Sequence, residues 1–250
     1  MSLSLSLRAL PRSSSACSHI ASVQVCRRTY YSIHHPDPPP FPPVQATILA
    51  SAIQHVPRLG FTQAAVTAGA QSTGYLEAST LLFPRGPFDL IRYHLVTERL
   101  ALKDRVQFPA DSKLGLTEKV KKLVVARLIA NKDIIGHWQG ALGHMSLLEN
   151  IPASLAELGN LADEIWYLAG DKSVDFSWYT KRAQLSAVYA SSETFMTTDQ
   201  SPGFRDTEEF VERRLGDAKT VGGAAGGFTD YVGWWAGNGL GLARAWGMKV

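Results

Sequence analysis

The side chains able to do chemistry are present, but their spacing does not assemble a reaction centre. A di-iron site in a helical bundle needs four carboxylates and Glu-x-x-His motifs. No Glu-x-x-His occurs: Glu98, Glu118, Glu149 and Glu164 are followed by nothing suitable. His137 and His144 lie seven apart and share a helix face, with Gly140 and Gly143 expected to interrupt that helix. They supply two ligands at most, and satisfied or solvated histidines are the expectation. His34-His35 sits in a proline-rich linker and reads as solvated. Cys17 and Cys26 both lie near the N-terminus, which leaves the body without a disulfide scaffold or a cysteine zinc site. Gly222–Gly227 has no Gly-Lys-Ser/Thr after it and reads as a flexible linker rather than a phosphate loop. No Ser/His/Asp ordering stands out. No residue is assigned to catalysis or to a metal, and an enzyme acting on a lipid would need an acid/base pair that this sequence does not offer.

The remaining chemistry is that of binding. Ile165, Trp166, Tyr167, Trp178 and Tyr179 gather around a polar turn, Gly170-Asp171-Lys172-Ser173. Such a cluster is either an interface, where truncating one aromatic commonly costs about 2 kcal/mol, or ordinary core at helical spacing. Asp175 is placed to cap the helix that starts at Phe176–Ser177. A second binding element lies at the C-terminus. With about 100° per residue, Phe228, Tyr231, Val232, Trp235, Gly239, Leu242 and Trp246 share one sector of a helix, and Asp230 and Arg244 point away from it. Five glycines and the polar face forbid a comfortable membrane span. The segment reads as a helix lying in a membrane interface or docked on the protein's own body, and the glycine tether before it favours the membrane.

The elements that carry these residues are helical. From Val44 onward the 3.6-residue period dominates, with runs at 44–59, 62–70, 75–83, 88–102, 119–135, 138–148, 152–168, 177–196 and 206–215. Alternating β-branched runs and hairpin turn signals are missing, so the fold class is all-α. Among the 250 residues, 45% are hydrophobic and 19% charged, enough to bury a core. Before Asp37 there is no acid, but there are Arg8, Arg12, Arg27, Arg28 and many serines. That composition describes an organellar transit peptide, with Arg28-Thr29-Tyr30 resembling a mitochondrial processing site. Without residues 1–30, 21 basic side chains face 22 acidic ones, so the net charge of +3 belongs to the address.

Gly60-Phe61-Thr62, then 63–71, Ser72-Thr73-Gly74, 75–83 and a break at Pro84–Gly86 resembles the helix-turn-helix unit of TetR-type repressors. Groove reading needs Arg, Lys, Asn or Gln on the third helix, whereas 75–83 contains no Arg or Lys and carries Glu77. A packing role is therefore expected, with a TetR-like DNA-binding regulator as the alternative. Further along, Asp163-Glu164-Ile165-Trp166-Tyr167-Leu168-Ala169-Gly170-Asp171-Lys172-Ser173-Val174-Asp175-Phe176-Ser177-Trp178-Tyr179-Thr180-Lys181-Arg182 resembles the signature of the mitochondrial ubiquinone-biosynthesis accessory family, the ninth of the coenzyme Q biosynthesis proteins. Ser201–Thr207 and Glu212-Arg213-Arg214 continue the likeness.

That resemblance implies a TetR-repressor-like fold without DNA binding, a lipid cavity in the larger helical domain, and homodimers. It implies no enzymatic activity, no cofactor beyond a bound isoprenoid quinone precursor or other lipid, and work with the di-iron demethoxyubiquinone hydroxylase and other ubiquinone-synthesis proteins. It assigns Ile165, Trp166, Tyr167, Asp175, Trp178 and Tyr179 to partner binding, and supports membrane binding by Phe228, Tyr231, Val232, Trp235, Leu242 and Trp246. Pocket-lining residues are not assigned. The expected organisation is transit peptide 1–31, Pro-rich linker 32–43, helix-turn-helix-like unit 44–86, lipid-binding domain 87–219, Gly-rich linker 220–227 and amphipathic helix 228–250. The expected location is the matrix side of the mitochondrial inner membrane.

Overall fold

A computed structural model describes residues 39–109, 114–171 and 177–222. The chain divides into two units, Met1–Pro39 and Pro40–Val250, and apart from Pro39 the first lies outside the described residues. The described part of the second unit is built from α1 (Pro43–Leu59), α2 (Gln63–Ser72), α3 (Pro87–Arg105), α4 (Leu116–Ile129), α5 (Ile135–Met145), α6 (Ile151–Ala169), α7 (Ser177–Met196) and α8 (Arg205–Gly222). Short 3-10 turns at Glu77–Leu82, Lys132–Ile134 and Pro202–Phe204 join some of them. No strand occurs among the described residues, as the periodicity requires.

Local chemistry sets the helix ends. Pro43 and Pro87 open α1 and α3, where their fixed φ suits the first turn and the missing N–H has no partner to lose. Gly60, at φ +66°, ends α1 and returns its N–H to the Val56 carbonyl at 2.8 Å. Thr62 caps α2 through Oγ1, which accepts from the Ala65 N–H at 3.4 Å. At the far end of α6, Gly170 takes the left-handed conformation, and the Gly170 and Asp171 N–H groups reach back to the Tyr167 and Trp166 carbonyls at 3.0 Å each. That is the 5→2 and 6→1 pair that closes a helix and turns the chain.

The apolar stripes close two cores. Ile48, Leu49, Ala52 and Val56 of α1 meet Phe61, Ala65, Val66, Leu90, Ile91 and Trp138 in the first. Val120, Leu123, Val124 and Leu128 of α4 meet Leu161, Ile165, Leu185, Tyr189, Met196 and Val211 in the second. Ile135 packs against both. At about 1.5–3 kcal/mol per buried large side chain, these stripes supply the driving force that short helices lack alone. Lys121 pins α4 to α8 through Glu212 at 2.9 Å and Glu208 at 3.4 Å.

Four boundaries differ from the expected ones. Residues 75–83 do not form an α-helix: Gly74 turns at φ +79°, Leu76 is extended, and only the 3-10 turn Glu77–Leu82 follows. No side chain of that turn is buried, so no packing stabilises a regular helix there. The run 119–135 starts earlier and stops at Ile129, because the Asn131 side chain is taken up by buried partners and the chain tightens into Lys132–Ile134. Glycines do not interrupt the next helix: α5 runs unbroken through Gly136, Gly140 and Gly143, with Trp138 and Ala141 buried beneath it. α8 continues past 215 to Gly222, into the expected linker, and Arg214 and Asp217 form an i,i+3 pair at 3.2 Å on the added turn. The rest of 220–227 and all of 228–250 lie outside the described residues.

Gly69 is where α1 and α2 approach most closely. A Cβ there would sit 2.6 Å from both the backbone nitrogen and the Cβ of Ala52. Gly69→Ala is therefore expected to destabilise by about 1–3 kcal/mol, although alanine is the better helix former. Gly159→Ala, on an exposed α6 position with nothing within 4 Å, is expected to stabilise by about 0.5–1 kcal/mol. Urea midpoints of the two variants check the pair; equal signs contradict the close approach.

Candidate functional site

The chain reversal after α6 brings the aromatic cluster together. Trp166 and Tyr167 occupy the last turn of α6, and Trp178 and Tyr179 the first turn of α7. Tyr167 and Tyr179 are 73% and 68% exposed, and both tryptophans are half-buried. Trp178 and Tyr179 meet edge to face, with ring centroids 4.7 Å apart at 76°. The Trp166 indole N–H donates to the Lys181 carbonyl at 3.2 Å, and the Lys181 ammonium, 5.6 Å from that ring, pairs with Asp171 at 3.0 Å.

Arg182 organises the other half. Its guanidinium carbon lies 3.8 Å over the Trp178 ring, its Nε donates to Asp163 on α6 at 2.6 Å, and its Nη1 donates to the Trp178 carbonyl at 3.3 Å. Cation–π stacking on one side and an ion pair on the other fix the indole in place. Aromatics held this way offer a partner large apolar area with little rotamer entropy left to lose.

The other sequence-selected residues fall elsewhere. Ile165 has no exposed surface and sits in the second core behind Trp166. Asp175 lies outside the described residues, as do Phe228, Tyr231, Val232, Trp235, Leu242 and Trp246. His137 Nε2 donates to the Pro57 carbonyl at 3.1 Å, and no group of three His, Cys, Asp or Glu side chains able to hold a metal occurs among the described residues. No described helix is long and apolar enough to cross a membrane.

A second constellation lies between the two cores. Asn131 Oδ1 accepts from Arg127 Nη1 at 3.0 Å and stands 2.9 Å from His94 Nε2, which must therefore carry the proton. Asn131 Nδ2 donates to Glu193 Oε1 at 3.3 Å, and the Tyr189 hydroxyl donates to the same oxygen at 3.2 Å. All five residues are buried, Arg127 completely. Burial, with the Arg127 charge in support, lowers the His94 pKa to about 4. Burial raises the Glu193 carboxyl against the pull of Arg127, and burial likewise raises the Tyr189 hydroxyl.

The comparisons with known proteins then bear on both constellations. A family profile, COQ9, matches residues 151–222. A relative from Schizosaccharomyces pombe, "Ubiquinone biosynthesis protein coq9, mitochondrial", is 44% identical over 178 residues, covering 71% of this chain and 70% of its own. The chain belongs to the COQ9 family.

Human "Ubiquinone biosynthesis protein COQ9, mitochondrial" is 38% identical over 190 residues, which are 73% of this chain and 59% of the human one. The Xenopus laevis COQ9-A protein is 38% identical over 186 residues, again covering 59% of its own length. The chain thus spans under two thirds of these vertebrate family members. Among solved structures, a TetR transcriptional regulator from Nitrosomonas europaea superposes with a TM-score of 0.55 at 14% identity, covering 71% of this chain and 99% of that one. This establishes the TetR-like helical arrangement. The family profile spans α6, α7 and α8, and so contains the whole aromatic patch together with Tyr189 and Glu193.

Sequence reasoning passed over the buried polar cluster, although a signal was there. Arg127 lies seven residues after Val120, on the apolar stripe of α4, and Asn131 lies one turn further on. Charge on a core-facing stripe marks a buried network.

A neutral His94 has a pH signature. The unfolded chain protonates this histidine near 6.5, and the folded one only near 4. Between those values the unfolded state binds more protons, so this group's contribution is full above 6.5 and is lost as pH falls toward 4. His94→Gln keeps an N–H donor and removes the titration. The stability advantage of wild type over His94→Gln is expected to shrink by about 2–3 kcal/mol between pH 6.5 and pH 4, measured by denaturant unfolding. A pH-independent difference contradicts the depressed pKa.

Proposed function

We propose that this chain is a mitochondrial, non-enzymatic lipid-binding protein of ubiquinone biosynthesis. It binds an isoprenoid quinone precursor, or a similar lipid, and presents it to the di-iron hydroxylase that acts on demethoxyubiquinone. It does so as a homodimer, on the matrix side of the inner membrane, and in company with other ubiquinone-synthesis proteins. Support for the pathway and the organelle comes from the names of the relatives. An acid-free, Arg-rich N-terminal segment agrees with that organelle.

The observation that carries the partner reading is the exposed, rigidly held aromatic patch of Trp166, Tyr167, Trp178 and Tyr179. The membrane reading is carried by the apolar sector Phe228, Tyr231, Val232, Trp235, Leu242 and Trp246. A TetR-like DNA regulator is disfavoured. Where the third helix of such a reader would stand, this chain has a 3-10 turn with Leu76 80% and Leu81 85% exposed, Glu77 among them, and no Arg or Lys.

Trp178→Ala and Tyr179→Ala are expected to weaken hydroxylase binding at least ten-fold while shifting the urea midpoint little, since neither ring belongs to a core and its removal leaves no core cavity. Pull-down of the hydroxylase alongside equilibrium unfolding checks this. A loss of several kcal/mol of stability with binding intact refutes the patch as the partner site.

The membrane segment is tested separately. Replacing Trp235 and Trp246 with Glu removes two large apolar groups and brings charge to the interface. Co-sedimentation with liposomes is expected to fall by orders of magnitude, with helicity and hydroxylase pull-down preserved. Unchanged sedimentation assigns the segment to a docked structural role.

A further inference from the structure

The helix-turn-helix unit ends in apolar side chains that no described element covers. Leu76 and Leu81 stand almost free of the body, and Tyr75 and Leu82 are exposed beside them. Gln45 Nε2 donates to the Leu82 carbonyl at 3.2 Å, which brings the first turn of α1, with Val44 exposed, to the same place. Three residues per 3-10 turn set Ala78 and Leu81 on one edge of Glu77–Leu82, Ser79 and Leu82 on the next, and Glu77 with Thr80 on the third. The one carboxylate of the turn is thus kept off its apolar edges. A contiguous apolar surface of this kind marks a contact with something else.

The charges beside it say what that is. Arg85 follows the turn, its guanidinium carbon 5.7 Å from the centre of the Phe88 ring, and Arg92 lies 5.8 Å over Phe41, just ahead of α1. Both arginines are exposed, and among the described residues neither guanidinium has a carboxylate partner. The nearby Asp89 carboxylate is taken up by the Arg85 backbone N–H at 3.0 Å. The complementary surface therefore carries negative charge next to an apolar phase. Duplex DNA supplies phosphates but no apolar phase for Leu76 and Leu81. Side chains this exposed project from the body instead of lining a groove, so the surface that takes them must yield, as lipid does. An anionic leaflet offers acyl chains to the leucines, the interface to Tyr75 and phosphates to the guanidiniums.

We propose that the turn Tyr75–Leu82 is a membrane-insertion tip: Leu76 and Leu81 enter the acyl boundary of an anionic leaflet, and Arg85 and Arg92 meet its phosphates. This rests on the membrane reading above and adds to it a second contact, on the helical body and separate from 228–246. The position that a TetR-type reader sets against DNA phosphates is here set against lipid phosphates.

The full chain with Cys17→Ser, Cys26→Ser and Leu81→Cys, labelled at the new thiol with the polarity-sensitive dye NBD, tests the placement. On phosphatidylcholine vesicles containing phosphatidylglycerol, the dye emission is expected to shift to the blue and to be quenched by nitroxides on the acyl chains. Co-sedimentation measures the affinity. Leu76→Ser with Leu81→Ser removes side chains that belong to no core, and is expected to weaken vesicle binding about ten-fold or more with helicity unchanged. Arg85→Gln with Arg92→Gln is expected to cost about ten-fold or more on vesicles with phosphatidylglycerol, and little on phosphatidylcholine alone. A dye that keeps its aqueous emission on vesicle-bound protein overturns the insertion and leaves the 228–246 reading standing. A dye that responds to duplex DNA and not to vesicles overturns the choice of lipid. Equal losses on both vesicles for the arginine pair overturn the phosphate contact. Absence of any vesicle binding by the unsubstituted chain refutes the membrane reading itself, and this contact with it.

Discussion

One amide holds the two cores in register. Asn131 receives Arg127 from one turn earlier on α4 and His94 from α3, and passes its own N–H to Glu193 on α7. α3, which contributes to both cores, and α4 and α7 of the second meet at this side chain, which is wholly buried. Apolar stripes can slide against one another at little cost, because burial is non-directional. Hydrogen bonds between buried polar groups cannot, since each misplaced partner pays its desolvation unrewarded. The stripes of α4 and α7 explain why the chain collapses. The Asn131 network explains why α3, α4 and α7 collapse in this register.

Much of the fold is legible in the chain itself. The stripes of α1, α4 and α6, the Thr62 cap and the absence of strand signals follow from helical geometry, and the structure reproduces them. The misses share a cause: packing, or the lack of it, outweighed local preference. Gly140 and Gly143 are poor helix formers, yet α5 is held straight by the burial of Trp138 and Ala141. Residues 75–83 have helical periodicity, but only Phe83 reaches the first core, and the leucines of the turn remain exposed.

The candidate site was legible in part. The aromatic run and its polar turn were evident from residue type alone, and their assembly follows from the reversal at Gly170. Sequence could not say that Ile165 faces inward while Tyr167 faces out, because neighbours on a helix point about 100° apart and the phase of the helix on the core sets which one is buried. Nor could it foresee that Arg182, just past the motif's last aromatic, would be the residue that stacks on Trp178 and ties it to Asp163. Family membership supplies the biological setting, but it does not explain why an arginine lies in the apolar interior. That needs the donor inventory at Asn131.

α7 begins at the aromatic patch and reaches the polar seam three to four turns later. Fifteen residues separate Trp178 from Glu193, roughly 22 Å at about 1.5 Å each. A helix bends far more easily than it shortens, because its backbone hydrogen bonds run along the axis. A translation of Glu193 along α7 therefore arrives at Trp178 undiminished, and a translation that begins at Trp178 is felt at Glu193. The two ends of α7 act as the ends of one push-rod, and the cost of moving either includes the bonds that hold the other.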